Sequence, residues 1–487
     1  VSPRGASPEG AKENGSRYHV QLPKLPPQWT YERFDKVLDI QGGSQPPKST
    51  FVYEPTPGYV QLLQIRDFGE RGVPTFVRED SVTKRCTKDD ILIARYGASL
   101  GRIVTGESGA YNVALAKVIF DKNQFFNRYL FYLLQTPFFQ TPIHMISRSA
   151  QNGFNKGDLS DIILPVAPLS EQRRIVAEIE KQFTRLEAGV AALQRVQANL
   201  KRYRAAVLKA ACEGKLVPTE AELAAKSAKK NSDPGSASSV AKHPGYETGA
   251  ELLARILAEC RKNWEQTPAG GSRPTTRRAD AVGRVPSRGV RGRGKYKEPA
   301  APDTANLPSL PEGWTWASGA QLFAWSSGDG LAQKDIQPGD YPVYGGNGVT
   351  SYHNEFIAEF PTIVIGRVGA LCGNVYLTKG RAWITDNAIY ATRTPSFVSM
   401  KFVEIAFIRA GLNKRAAGSG QPFVNQRILN ETVVPLPPVA EQTRIVGEVE
   451  RRLSVVEELE SVVSANLQRA SRLRQSILQK AFSGELV

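Results

Sequence analysis

The 487-residue sequence predicts an α+β fold: two similar mixed α/β domains separated by a pair of long antiparallel coiled-coil helices. Three observations predict it. The segment Leu22-Pro23-Lys24-Leu25-Pro26-Pro27-Gln28-Trp29 returns as Leu307-Pro308-Ser309-Leu310-Pro311-Glu312-Gly313-Trp314. The segment Pro168-Leu169-Ser170-Glu171-Gln172-Arg173-Arg174-Ile175-Val176 returns as Pro438-Val439-Ala440-Glu441-Gln442-Thr443-Arg444-Ile445-Val446. After each copy of the second segment, apolar residues recur at mostly alternating steps of four and three, the period of a coiled-coil seam. A repeat this long is a duplicated domain followed by a duplicated helix, not a solenoid unit. Two like modules on one chain suit a target that is itself two-sided.

The elements follow in order. Residues 1–20 are polar and expected to be a disordered tail, and residues 21–167 form the first domain. Short β-rich runs (Val60 to Ile65, Ile91 to Ala94, Arg102 to Thr105, Val113 to Phe120) alternate there with glycine-rich turns, and a helix is expected over Phe126–Gln135. Residues 168–217 hold the first long helix. Pro168 suits its start, Glu171 lies near its positive end, and Gly214 suits its C′ position. Its seam reads Ile179, Phe183, Leu186, Val190, Leu193, Gln197, Leu200, Tyr203, Val207.

Residues 307–437 repeat the domain, with strands at Thr362–Ile365, Gly373–Leu377 and Ala388–Ala391 and a helix near Ser399–Ala410. Residues 438–487 repeat the helix, with seam Val449, Leu453, Val456, Glu460, Val463, Leu467, Ala470, Leu473, Ile477 and a terminal Gly484. Gln197 and Glu460 interrupt the two seams where a partner helix can set register. About 45 residues make a helix roughly 65–70 Å long, and neither seam can stand exposed in water. Antiparallel pairing with each other is the economical solution. Trp29 and Trp314 are expected to be core anchors.

Residues 218–306 are inserted between the halves and read as a basic linker. Thr248-Gly249-Ala250-Glu251 is a capping box that opens a short helix over 248–265, with Leu252, Leu253, Ile256, Leu257, Cys260 and Trp264 on its apolar face. The stretch 267–297 carries nine arginines and lysines against Asp280 alone. Its charge suits non-specific phosphate contact.

The formal charge is +16, which favours a polyanionic partner, nucleic acid first. No apolar run approaches the roughly 20 residues that span a bilayer, so no membrane partner is expected, and the unpaired cysteines suit a reducing cytoplasm. Cys86, Cys212, Cys260 and Cys372 are scattered, without zinc or disulfide spacing. His19, His144, His243 and His353 cluster with nothing, and no metal site is expected. Gly289 to Lys295 begins like a phosphate-binding loop, but Tyr296 stands where a hydroxyl should reach magnesium. None of the Pro-Pro pairs has the frame of an adenine methyltransferase motif. The residues predict neither catalysis nor a bound cofactor.

At this point the chain resembles the specificity subunit of type I restriction–modification enzymes. The marks are the proline-rich junction into Glu171-Gln172-x-Arg174-Ile175-Val176, its twin Glu441-Gln442-x-Arg444-Ile445-Val446, and the duplicated domain-then-helix plan. The segment Tyr341-Pro342-Val343-Tyr344-Gly345-Gly346-Asn347-Gly348 points the same way; the first domain lacks it, as domains reading different sequences would allow. The resemblance covers nearly the whole chain from residue 20. It implies two target-recognition domains, each reading one half of a bipartite site in double-stranded DNA. It also implies partner subunits: two DNA methyltransferase subunits, which would carry the S-adenosylmethionine, and ATP-dependent restriction and translocase subunits. The competing readings are a coiled-coil scaffold with protein-binding domains and the recognition half of a split DNA methyltransferase.

Candidate DNA contacts are polar residues at matching points of both copies. Arg95 and Tyr96, with Arg102 nearby, parallel Arg367 in Gly366-Arg367-Val368-Gly369; arginine beside a permissive glycine can approach a phosphate or a guanine edge. Arg148, Gln151 and Asn155 parallel Gln421 and Asn425. Glutamine and asparagine can bond adenine bidentately, and they also cap turns. Asn347 lies in a glycine-rich turn, and Lys414 with Arg415 stands among small residues as expected phosphate contacts.

Overall fold

The computed structural model describes residues 22–69, 72–149, 153–231, 245–266, 296–369, 371–417 and 422–486. The expected N-terminal tail, most of the arginine-rich stretch and the loop-like Gly289 to Lys295 lie outside these. The chain forms two compact units, one of residues 1–196 with 462–487 and one of residues 197–461.

Each unit is built on the same plan. In the first, a four-stranded antiparallel sheet runs in the order Leu38–Gly42, Leu115–Phe120, Leu92–Ala94, Ile103–Val104. In the second, the order is Ala324–Ser327, Ala388–Arg393, Ile363–Gly366, Val375–Leu377. A second small sheet centres on Tyr59–Leu63 in one unit and on Tyr341–Gly345 in the other, each pairing in parallel with a short strand, Gly109–Tyr111 or Trp383–Ile384. The strand Tyr59–Leu63 is therefore the structural counterpart of the Tyr-Pro-Val-Tyr-Gly segment that the first domain lacks. A two-stranded ribbon closes each domain, Thr30–Arg33 on Ile163–Val166 and Thr315–Ser318 on Val433–Leu436.

The duplicated junction clamps each long helix to its domain. In the first unit the Trp29 indole N–H donates to the Glu171 carboxylate. The buried Gln172 amide donates to the Gln124 and Ala167 carbonyls and accepts from Phe126 N at 2.7 Å. In the second, Trp314 Nε1 donates to Glu441 Oε1 at 3.1 Å, while Gln442 accepts from Ser399 N and donates to the Pro437 carbonyl. Each tryptophan is at most 8% exposed, as a core anchor should be. The Glu-Gln motif thus pairs polar groups that burial would otherwise leave unsatisfied.

The long helices run over Leu169–Cys212 and Val439–Phe482. Within the first unit, Ile175, Ile179 and Phe183 share a core with Ile477, Ala481 and Phe482. Within the second, Val207, Ala211 and Cys212 share one with Ile445 and Val449. In both units later residues of one helix meet earlier residues of the other, so the segments pair antiparallel. The seam differs from the sequence reading at one step of each helix. Tyr203 and Leu473 are 45% and 48% exposed, and the half-buried Arg204 and Arg474 take their places. Arg204 reaches Glu460 at 3.1 Å and Glu457 at 3.7 Å. Arg474 reaches Glu187 at 3.2 Å and lies 4.0 Å over the Phe183 ring. The aliphatic stem of arginine covers apolar surface while its head finds a carboxylate, and that pairing outweighs the hydrophobicity of the preceding residue.

The inserted segment is not all linker. A helix over Glu220–Asn231 follows the first long helix, and Glu220 pairs with Arg444 at 2.6 Å. The capping-box helix, Gly249–Gln266, buries Leu252, Ile256 and Cys260 in the core of the second unit. It approaches the ribbon closely: a Cβ on Gly249 would lie 2.1 Å from the Leu436 carbonyl oxygen. Ala317 is fully buried on that ribbon, whereas the matching residue of the first domain is the half-buried Glu32. The uncovered copy keeps a charge; the covered one keeps a methyl group.

Burial raises the carboxyl pKa of Glu441 above its usual range, against the opposing hydrogen bonds from Glu220 N and Trp314 and the charge of Arg444. A folded-state pKa raised above the unfolded one gives stability that is present at low pH and lost as pH rises through the raised value. Glu441→Gln removes this titration. Chemical denaturation from about pH 4 to about pH 8 should therefore move in favour of the variant as pH rises. A stability difference that stays constant across the range would contradict the raised carboxyl.

Candidate nucleic-acid interface

In the second domain a hairpin, a turn and two loops meet at one edge. The strands Tyr341–Gly345 and Gly348–His353 are joined at Gly346 and Asn347, with Gly348 at φ 90° and Asn347 exposed at the tip. A Cβ on Gly366 would sit 2.6 Å from the Gly346 carbonyl oxygen, so only glycine lets the hairpin tip lie against the end of strand Ile363–Gly366. Arg367 follows. Its N–H donates to the Asn387 carbonyl at 2.9 Å, and its carbonyl accepts from Val424 N at 2.8 Å. Its exposed guanidinium makes a long bond, 3.4 Å, to the Asp386 carbonyl. Phe423 pairs with Val368 and Ala417, which brings the Leu412–Arg415 turn to the same edge. Lys414 and Arg415 are exposed on that turn.

Asn347, Arg367, Lys414, Arg415 and Asn425 therefore lie along one edge of the second domain. Gln421 lies outside the described residues. Asn425 caps the helix Gln426–Asn430, its Oδ1 accepting from Ile428 N at 2.9 Å.

The first domain shares the strand end of this edge but not its hairpin, since strand Tyr59–Leu63 is followed by the short helix Ile65–Phe68 before its partner Phe76–Arg78. Arg95 matches Arg367 in the backbone, donating its N–H to the Ala114 carbonyl at 2.8 Å. Its guanidinium, though, donates twice to the Phe154 carbonyl, at 3.2 and 3.3 Å, and lies 5.2 Å over the Tyr96 ring. Arg95 thus fastens the 153–155 loop to the end of strand Leu92–Ala94, whereas the exposed Arg367 guanidinium makes one bond, to the neighbouring Asp386 carbonyl. Tyr96 is 40% exposed. Arg102 is exposed but turned to the Phe68 carbonyl at 2.8 Å. Asn155 caps the short helix Lys156–Leu159 in a capping box with Asp158. Arg148 lies on the helix Pro137–Ser149, which the sequence reading missed because Pro137 and Pro142 break its pattern. Gln151 lies outside the described residues.

Sequence reasoning also passed over the turn at Asp386 and Asn387, although both are exposed beside Arg367. The repeat could have flagged it, because the strands that flank it match in the two halves.

Burial pushes the Cys86 thiol up to about 11 and the Cys212 thiol up to about 12, which holds both as inert protonated thiols. His353 is buried edge-on to Trp383, with Nδ1 facing Gln337. No helix among the described residues is long and apolar enough to cross a membrane.

Comparison with known proteins accords with this duplicated plan. The family model for the type I restriction modification DNA specificity domain matches twice, over residues 26–193 and 311–456. The EcoKI specificity subunit of Escherichia coli (strain K12) is 24% identical over 95% of this chain and 90% of its own length. The EcoDI specificity subunit of Escherichia coli is 27% identical over 81% of this chain and 78% of its own. One solved structure, from work on complex assembly and conformational transition of the type I R-M system, aligns with TM-score 0.59 at 17% identity. It covers 95% of this chain and 100% of its own, and shares the fold. Two matches of one family model over most of the sequence place the chain in the type I restriction modification DNA specificity family.

Proposed function

We propose that this chain is the non-catalytic DNA-recognition subunit of a type I restriction–modification complex. Each domain reads one half of a bipartite double-stranded site with the edge described above. The paired helices fix the gap between the half-sites, and their duplicated surfaces offer equivalent docking faces to two methyltransferase subunits. ATP-dependent restriction subunits join the assembly. Methyl transfer, ATP hydrolysis and cleavage belong to those partners.

The observation that carries this reading is a pair of edges that share their backbone around Arg95 and Arg367 and differ in side chains. The hairpin tip with Asn347, the exposed Arg367 and the Lys414–Arg415 turn have the chemistry of base-edge and phosphate contacts. At the position of Arg367 the first domain has Arg95 tied down and presents Tyr96. Equal scaffolds with unequal tips suit two different half-sites. The net charge of +16 suits a phosphate backbone.

Exchanging residues 22–166 for the same domain of a relative tests it. Mapping of methylated sites should show one half of the site replaced and the other half retained. A change in both halves, or in neither, would contradict independent reading.

A further inference from the structure

Two β-turns occupy the same place in the two domains. One spans Thr385 to Ala388, closed by Ala388 N donating to the Thr385 carbonyl at 3.0 Å. The other spans Asn112 to Leu115, closed by Leu115 N donating to the Asn112 carbonyl, also at 3.0 Å.

The surrounding backbone bonds correspond one for one. Arg367 N donates to the Asn387 carbonyl as Arg95 N does to that of Ala114. Gly328 N donates to the Ala388 carbonyl as Gly43 N does to that of Leu115. Asp329 N donates to Ile384 as Ser44 N does to Tyr111, and Thr385 N to Tyr344 as Asn112 N to Leu63. The frame is therefore shared.

Only the tips differ. The second domain presents Asp386 and Asn387, both exposed; the first presents Val113, 36% exposed, and Ala114. Asp and Asn are ordinary turn residues, but valine and alanine are not. Nothing in turn formation asks for an exposed valine at Val113. Position strengthens the contrast. The second tip is fastened to Arg367 through the Asn387 carbonyl, and that carbonyl lies 3.3 Å from where a Gly346 Cβ would stand, next to Asn347.

The geometry points to these two turn tips as base-reading elements that use opposite chemistry. In the second domain Asn387 hydrogen-bonds an adenine edge in the major groove. In the first domain Val113 makes apolar contact with a thymine methyl group. This inference rests on the DNA-recognition reading above and assigns residues within it.

Tip exchange tests it. The variants Asp386→Val/Asn387→Ala and Val113→Asp/Ala114→Asn each place on one frame a tip that the equivalent frame already carries, so both should fold, which thermal melting of the full chain checks. Full-length wild type and variants select duplexes from a randomised pool, and the retained sequences are read. The first variant should lose adenine preference at one position of one half-site, by about ten- to a hundred-fold. The second should lose thymine preference at one position of the other half-site. The remaining positions and the gap should stay as in wild type. Motifs unchanged from wild type, or a uniform loss across all positions, would overturn the assignment; a change in only one variant would overturn it for the other domain. A wild type that enriches no bipartite motif would instead sink the recognition reading itself.

Discussion

Phe482→Ala lowers the stability of the first unit by about 3–5 kcal/mol, the usual cost of emptying a buried phenylalanine site. Phe482 is fully buried near the end of the second long helix, with its ring 4.9 Å from that of Tyr129 in the first domain. It sits in one apolar cluster with Ile179 and Phe183 of the first long helix, so the loss weakens helix pairing and helix docking together. Leu473→Ala is the control. The apolar pattern puts Leu473 in the seam, yet it is 48% exposed, so its loss should cost less than about 0.5 kcal/mol. Urea denaturation of the full chain separates the two. Similar costs for both variants would contradict the packing described here.

Lengthening both helices by one heptad, after Leu193 in the first and after Leu467 in the second, should widen the gap between the half-sites. Seven residues add about 10 Å of helix, or about three base pairs at 3.4 Å each. A whole heptad keeps the alternation of four and three, and equal lengthening lets Arg204 keep Glu457 and Glu460 while Arg474 keeps Glu187. The half-site sequences should not change, because neither domain is touched. Mapping the methylated sites of this variant reads the gap directly. An active variant with the parental gap would show that docked subunits, not the helices, set the distance.

The duplicated plan was legible because it is written in residues with few alternatives. A tryptophan whose indole N–H must find a buried acceptor, and a Glu-Gln pair that supplies one, recur in both halves. The long helices were legible from their apolar steps, but the seam was misplaced at Tyr203 and Leu473. A hydrophobicity pattern does not see an arginine whose stem packs and whose head pairs across to a glutamate. The insert was only half legible. Its capping box marked a helix, yet burial of Leu252 and Ile256 against the second domain depends on the tertiary neighbours Ala317 and Leu436. At the candidate edge, the match of Arg95 with Arg367 was readable and their different uses were not, because the Phe154 carbonyl that holds Arg95 comes from a distant loop. The turn at Asp386 and Asn387 does not stand out by composition, since those residue types fill ordinary turns; only its alignment with Val113 and Ala114 in the repeat marks it.

Methylation-aware sequencing of DNA from cells with and without this gene tests the central claim most directly. The account predicts modified sites that depend on the gene and consist of two specific half-sequences at one fixed separation. Modified sites that persist without the gene, or a single uninterrupted motif, would contradict it.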